Sequence, residues 1–241
     1  GAESFVRETL GLPTRRWDYH EHAVTANITP GRHHQGRAFE RFTEQGPVAL
    51  LPLPDQRCGL VWTVGEDQLD EVLALDDRAF LAAFQARFGY RLGRFSRVGR
   101  RASYPLRFLR ATEFTAERVA VIGNAAHTLH PVAGQGFNLG IRDVAALAEL
   151  VVEAQQADKD PGAPELLRAF ADWRRGDQQA VALATDSLVR IFRSPLPPVR
   201  LLRNLGMLAL DGLPPAKRLL ARAAMGRLGR LPGLARGVRH G

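Results

Sequence analysis

Between His22 and Val64 apolar and polar residues alternate with a period near two. That is the spacing of strands with one buried face. The pattern predicts strands over His22–Ile28, Arg37–Thr43, Pro47–Leu53 and Gly59–Val64. Turn signals at Thr29-Pro30-Gly31, Gln45-Gly46 and Pro54-Asp55 separate them, so the sheet is expected to be antiparallel. Phe39 falls on one face, with Arg37, Glu40 or Arg41 alternating around it. Asp76 or Asp77 then caps a helix whose stripe is Phe80, Phe84 and Phe88. Ser96–Leu106 reads as a further strand. Near the start, Ser4 and Arg7 sit where a turn runs into a short helix.

Val119–Ile122 is a continuous apolar run, the character of a strand buried on both faces. It stops at Gly123, and a Pro/Gly-rich turn follows from Pro131 to Gly136. The period then becomes helical, with Ile141, Val144, Ala148 and Val151 along one face. Strand, glycine loop and helix together bring a backbone close to a large ligand. Gly134 and Gly136 carry no Cβ, so the chain can turn sharply against a flat surface. The N–H groups opening the helix lack partners within it, and the dipole there is positive. An electron-rich ring or an anion would be stabilised in front of it. After Gln156 a polar break, Ala157–Pro164, leads into helices expected over Glu165–Trp173, Asp177–Phe192, Val199–Leu210 and Pro215–Leu228. Pro195, Pro197, Pro198, Pro214 and Pro215 punctuate them.

Charge adds a second layer. The chain of 241 residues carries a net charge of +8. From Ser187 to Gly241 eleven Lys/Arg stand against one acid, Asp211, so the rest of the chain is close to neutral. The tail mixes Leu201, Leu202, Leu205 and Leu208 with Arg200 and Arg203, the pattern of a basic amphipathic helix on an anionic membrane surface. A helix packed on its own domain with a solvated basic face is the alternative. Nucleic acid is not expected, because no aromatic–basic strand pattern accompanies the charge. No apolar leader and no apolar run of about 18 residues is visible, so no spanning helix is expected. A single cysteine, Cys58, excludes an internal disulfide. No metal is expected: no His/Cys/acid cluster has metal spacing, and His33-His34, in a glycine-flanked turn, reads as solvated.

Gly123-Asn124-Ala125-Ala126-His127, Pro131, Gly134-Gln135-Gly136, Asn138 and Asp143 resemble the second flavin-binding motif of the class A flavoprotein aromatic hydroxylases. Its usual form is G-D-A-A-H, then P, G-Q-G, N and D. Gly1, Ser4 and Arg7 resemble the remainder of the family's D-G-x-x-S-x-x-R motif. Gly36–Phe42, Leu51-Pro52-Leu53 and Tyr104-Pro105-Leu106 are most similar to the ubiquinone-biosynthesis branch, and within it to the octaprenyl-methoxyphenol hydroxylases. Asn124 stands where the family usually has Asp, and this too resembles that branch.

The resemblance implies a p-hydroxybenzoate-hydroxylase-like fold, mixing α+β and α/β parts. An antiparallel substrate-domain sheet joins the residual part of the FAD domain and C-terminal helices. The expected divisions are 1–17 (remnant of the FAD/NAD(P)H motif region), 18–112 (substrate domain), 113–156 (second half of the FAD domain) and 157–241 (basic helical region). No G-x-G-x-x-G precedes a strand–helix unit. The chain is therefore expected to be the C-terminal two-thirds of an enzyme, and to bind FAD poorly and turn over slowly or not at all by itself.

The implied cofactor is FAD, with NAD(P)H as reductant and a polyprenylated phenol as substrate. Placement is expected in the cytoplasm, peripheral to the inner membrane, with the membrane surface or other ubiquinone-biosynthesis proteins as partners; oligomeric state stays open. Gly134, Gln135, Gly136, Phe137 and Asn138 are implied to contact the isoalloxazine, and Pro131 to border its reactive side. Gly123 opens the turn, and Asn124 faces ribitol or pyrophosphate. Arg7 meets phosphate or NAD(P)H, or else is a surface arginine. No residue is assigned as catalytic, since the flavin carries the chemistry; His127 and His130 read as packing or capping groups. Phe39, Phe42, Leu51, Leu53, Val61 and Trp62 either line the substrate platform or pack the core. Two rival readings are a flavin oxygenase of a soluble aromatic substrate and a basic membrane-surface module without catalysis.

Overall fold

The protein is described by a computed structural model covering residues 1–226 and 230–237. The elements in order are α1 (Phe5–Thr9), β1 (Thr14–Thr29), β2 (Phe39–Thr43), β3 (Gly46–Pro52), β4 (Cys58–Gly65), α2 (Leu69–Ala74), α3 (Asp77–Phe88), β5 (Arg97–Val98) and β6 (Ala102–Ala111). There follow β7 (Thr115–Ala116), β8 (Val119–Ala120), β9 (His127–Thr128), α4 (Gln135–Gln156), α5 (Pro164–Arg193), α6 (Pro197–Gly212) and α7 (Pro214–Ala224). Two compact units result. One comprises Gly1–Trp17, Arg107–Leu188 and Leu202–Gly241; the other comprises Asp18–Leu106 and Val189–Leu201.

The second unit is an antiparallel sheet covered by α3. β4 lies between β1 and β3, with Val24 opposite Trp62 and Leu50 opposite Leu60. Alternation places Val48, Leu50, Leu60, Trp62 and Val64 on the buried face. Asp76 caps α3 by accepting from the Ala79 N–H at 2.7 Å. The predicted stripe Phe80, Phe84 and Phe88 enters the core, where Trp62 meets Phe80 with ring centroids 5.4 Å apart, at an edge-on tilt. Trp62 is therefore a core residue, whereas Leu51 is 46% exposed.

Several boundaries differ from the expected ones. β1 begins at Thr14, eight residues early; its first half includes Arg15 and the buried Glu21, which interrupt the apolar repeat. Ser96–Leu106 divides into β5 and β6, and the Gly99 N–H bonds the Asn27 carbonyl at the break. Val119–Ile122 is not a doubly buried strand. Only Val119–Ala120 pairs as a strand, with Thr115–Ala116 in a separate ribbon, and Arg118 turns it at φ 57°. The two helices expected over Glu165–Trp173 and Asp177–Phe192 are one continuous α5, since Gly176 lowers helix propensity by only about 1 kcal/mol and tertiary packing outweighs it. The C-terminal end expected at Leu228 lies outside the described residues. His34 is also corrected: it is buried, not solvated. Its Nδ1 accepts from the Gly36 N–H at 3.0 Å, so Nε2 is the protonated nitrogen and donates to the Leu53 carbonyl at 3.2 Å.

Candidate functional site

The glycine-rich segment lies in the first unit. Gly123 takes φ 61° and opens a tight helical turn through Ala125. β9 follows, pairing with Leu109 and Arg110 of β6. Pro131 then starts a second tight turn that ends at Gly134, whose φ 60° and ψ 27° are left-handed. A residue with a Cβ is strained there. Gly134 is the N-cap of α4, and no side chain caps the helix. The positive end of a 22-residue helix thus opens through backbone alone.

Space in front of this end is clear: a Cβ built on Gly134 or on Gly136 meets nothing within 4 Å. Pro131, Asn138 and Asn124 are exposed, and Phe137 is 77% exposed. The Asn138 Nδ2 donates to the Gly134 carbonyl at 3.3 Å, bracing the first turn. A Cβ on Gly140 would stand 3.4 Å from the Gly123 Cα. The Asn124 turn therefore packs directly on α4, and the two halves of the motif form one surface. Gln135 differs from its neighbours: its side chain is buried and its Nε2 donates to the Ala224 carbonyl of α7 at 3.0 Å.

Arg7 is not a surface arginine. It is fully buried, and its guanidinium donates to the carbonyls of Ala125 at 2.8 Å and Ala2 at 2.7 Å. Ser4 caps its helix through the Arg7 N–H. Arg7 therefore ties α1 to the back of the Gly123–Ala125 turn.

Beneath the surface lies a polar network that sequence reasoning reached only in part. Asp143, with no exposure, accepts from His127 Nε2 at 2.7 Å, Arg174 Nε at 2.7 Å and Gln178 Nε2 at 3.1 Å. Arg174 also donates to Asp177 at 2.6 Å. The network joins β9, α4 and α5, holding the start of α4 against its support. His127 is thus a packing residue, and the His130 Nδ1 caps by accepting from the Val132 N–H at 3.2 Å. Asp143 was in the motif, but Arg174 and Gln178 were missed. Their spacing of four residues on the buried side of α5 is the signal that pairs with a buried acid. Arg142 stands beside this network, and burial pushes its guanidinium below the usual arginine range, with Asp177 opposing the shift. Among the described residues no group of three His, Cys, Asp or Glu is placed to hold a metal ion.

Residues 1–182 match the family model described as FAD binding domain. The ubiquinone hydroxylase UbiL of Rhodospirillum rubrum is 44% identical over 228 residues, covering 95% of this chain and 53% of the relative. The mitochondrial ubiquinone biosynthesis monooxygenase COQ6 of Danio rerio is 32% identical over 251 residues, covering 90% of this chain and 52% of the relative. Among solved structures, the Diels-Alderase PyrE3 of pyrroindomycin biosynthesis superposes with a TM-score of 0.70 at 27% identity, over 96% of this chain and 50% of that one. The chain spans about half the length of these relatives. Its helices and antiparallel sheet form the p-hydroxybenzoate-hydroxylase-like fold that the motif implied. With a family match over most of its residues and glycine turns that open a bare helix end, the chain belongs to the FAD binding domain family, among the class A FAD-dependent aromatic hydroxylases.

Proposed function

We propose that the protein is part of an FAD-dependent monooxygenase that adds one oxygen atom of dioxygen to a polyprenylated phenol, with NAD(P)H as reductant. One observation carries the reading: in a chain of this family, α4 opens uncapped, through glycines, onto clear space. FAD, when bound, supplies the redox chemistry and oxygen activation. The chain's own residues bind it, orient it and exclude water. Backbone N–H groups over Gly134–Asn138 would hold the pyrimidine end of the ring, where reduction places negative charge. Asn124 would meet ribitol or pyrophosphate, because an amide both donates and accepts. Arg7 fixes the Asn124 turn from behind through the Ala125 carbonyl. The exposed Pro131 and Phe137 border the ring and help keep water out.

A lipid-borne substrate fits the C-terminal helices. Leu201, Leu202, Leu205 and Leu208 of α6 are each at least 52% exposed, with Arg200 and Arg203 beside them. Leu219 of α7 is exposed beside Lys217, Arg218 and Arg222. No helix among the described residues is long and apolar enough to cross a membrane. Apolar residues flanked by arginines favour the surface of an anionic bilayer, at about 1 kcal/mol per basic residue.

Two measurements test this. The whole enzyme that contains this chain is incubated with FAD, NAD(P)H, isotopically labelled dioxygen gas and a short-chain prenylphenol; one labelled oxygen in the product supports the reading. Reductant consumed with hydrogen peroxide as the sole product across a panel of prenylphenols counts against it. Flotation with anionic vesicles, weakened by salt and absent with neutral ones, supports the membrane part; no flotation removes it.

A further inference from the structure

α4 has a second face. Opposite Phe137 and Ile141, Gln135 and Arg142 form one wall of a cavity of about 290 Å³ inside the first unit. α5 contributes the floor, including Val181, Ala184 and Leu188, and α7 flanks it with Leu220 and Ala224, leaving the cavity half open at the exposed Ala184 and Leu220. Most of the lining is apolar. Since one water occupies about 30 Å³ in the liquid, the space accommodates roughly ten atoms of that size. That is the low end of the range for small-molecule sites.

Arg142 is the anomaly in this wall. Its side chain is 12% exposed. Among the described residues its Nε and Nη2 are buried without a hydrogen-bond partner. Nε lies 3.3 Å from the Asp177 Oδ2, close enough for an ion pair but without forming a hydrogen bond, and Nη2 has no acceptor at all among those residues. A buried donor without an acceptor is costly. An apolar chamber beside unused N–H groups is complementary to a molecule with one accepting oxygen and an apolar tail. The charges refine this. Arg142 and Arg174 are balanced by Asp143 and Asp177, and Asp177 itself lines the cavity. An ionised head would be a further anion beside Asp177; a neutral carbonyl meets the same donors without that repulsion.

We infer that this cavity is a binding site for a neutral, single-tailed amphiphile whose carbonyl oxygen accepts from Arg142 and whose tail lies along Val181, Ala184, Leu188 and Leu220. The site lies behind α4, away from its open end, and does not depend on the reaction proposed above. Prenylated quinones and fatty esters share the required chemistry. The clamp from Gln135 to the Ala224 carbonyl holds α7 beside the chamber, so α7 acts as its flank.

Isothermal titration calorimetry on the full chain tests the inference with methyl heptyl ketone and nonanoate, which are matched in carbon number. The ketone is expected to bind saturably at one site, and ionised nonanoate about tenfold more weakly. Arg142→Met should weaken ketone binding about tenfold to hundredfold, the effect of losing a hydrogen bond from a charged donor. Ala184→Phe, at an exposed position on α5, should abolish binding while circular dichroism and the melting temperature stay unchanged. A prenylated benzoquinone displacing the ketone where methyl nonanoate does not assigns the head to a quinone; the reverse assigns it to an ester. No saturable ketone binding, equal affinity in Arg142→Met or Ala184→Phe, or tighter binding of nonanoate than of ketone would each overturn the proposal.

Discussion

Replacing Asp143 with Asn preserves shape and removes one charge, which isolates the network under α4. In the native protein Oδ2 accepts from His127 at 2.7 Å and Gln178 at 3.1 Å, while Oδ1 accepts from Arg174 at 2.7 Å. An amide has only one oxygen. Turned either way, its NH2 group faces at least one donor, and the carboxylate opposite Arg174 is gone. Removing one partner of a buried ion pair costs about 3–5 kcal/mol. Here Arg174 keeps Asp177 at 2.6 Å, and the Asp177 side chain is 26% exposed, so water softens the loss. The cost therefore sits at the lower end, about 3 kcal/mol. For a chain of this length that lowers the melting temperature by about 6–12 °C. Urea unfolding followed by circular dichroism measures it. Arg174→Met alone should destabilise similarly, by stranding Asp143. The double variant should lose less than the sum, because no buried charge then lacks its partner. A loss below about 1 kcal/mol in Asp143→Asn, or strict additivity in the double variant, refutes the network as the support of α4.

Phe84 is fully buried against Trp62, Phe88 and Phe95; Phe84→Ala should cost about 3–5 kcal/mol in the same assay. Cys58 is buried and burial pushes its thiol up, so a thiol reagent at neutral pH should label it only in step with unfolding; fast labelling of the folded protein contradicts this. The exposed Asp160 is held below the usual carboxylate range, first by its hydrogen bond from Arg118 and then by the Gly162 N–H. Because the folded value is depressed, its stabilisation is present above the ordinary value near pH 4 and is lost as pH falls through the folded value. Asp160→Asn should flatten the acid side of the stability profile, and the Asp160 carbon resonances should titrate below those of a model peptide. At the left-handed N-cap, Gly134→Ala should cost about 1–2 kcal/mol.

Local rules carried the second unit. Period-two alternation and turn residues located β2, β3 and β4, and the Asp76-Asp77 pair marked the start of α3, with Asp76 the one that caps it. The first unit was harder because polar residues occupy its interior. On α4 the sequence marks Ile141 and Val144 as the apolar stripe, yet these are 52% and 48% exposed. The side that packs carries Leu139, Asp143, Ala146 and Glu149, two of them acids. Hydropathy ranks that side as polar; only the tertiary partners of Asp143 make it a core. Arg7 escaped for the same reason, since its guanidinium is held in part by the Ala125 carbonyl, 118 residues away. The motif itself was legible because Gly123 and Gly134 answer to backbone dihedrals, which are local.

The most direct test of the flavin-facing assignment is amide hydrogen exchange, with and without FAD raised to saturation. The account predicts slower exchange at Gly136, Phe137 and Asn138 and at the Asn124 turn, with Phe39–Gly65 of the second unit unchanged. Bound FAD that leaves exchange at Gly136–Asn138 as fast as in the free protein would contradict it.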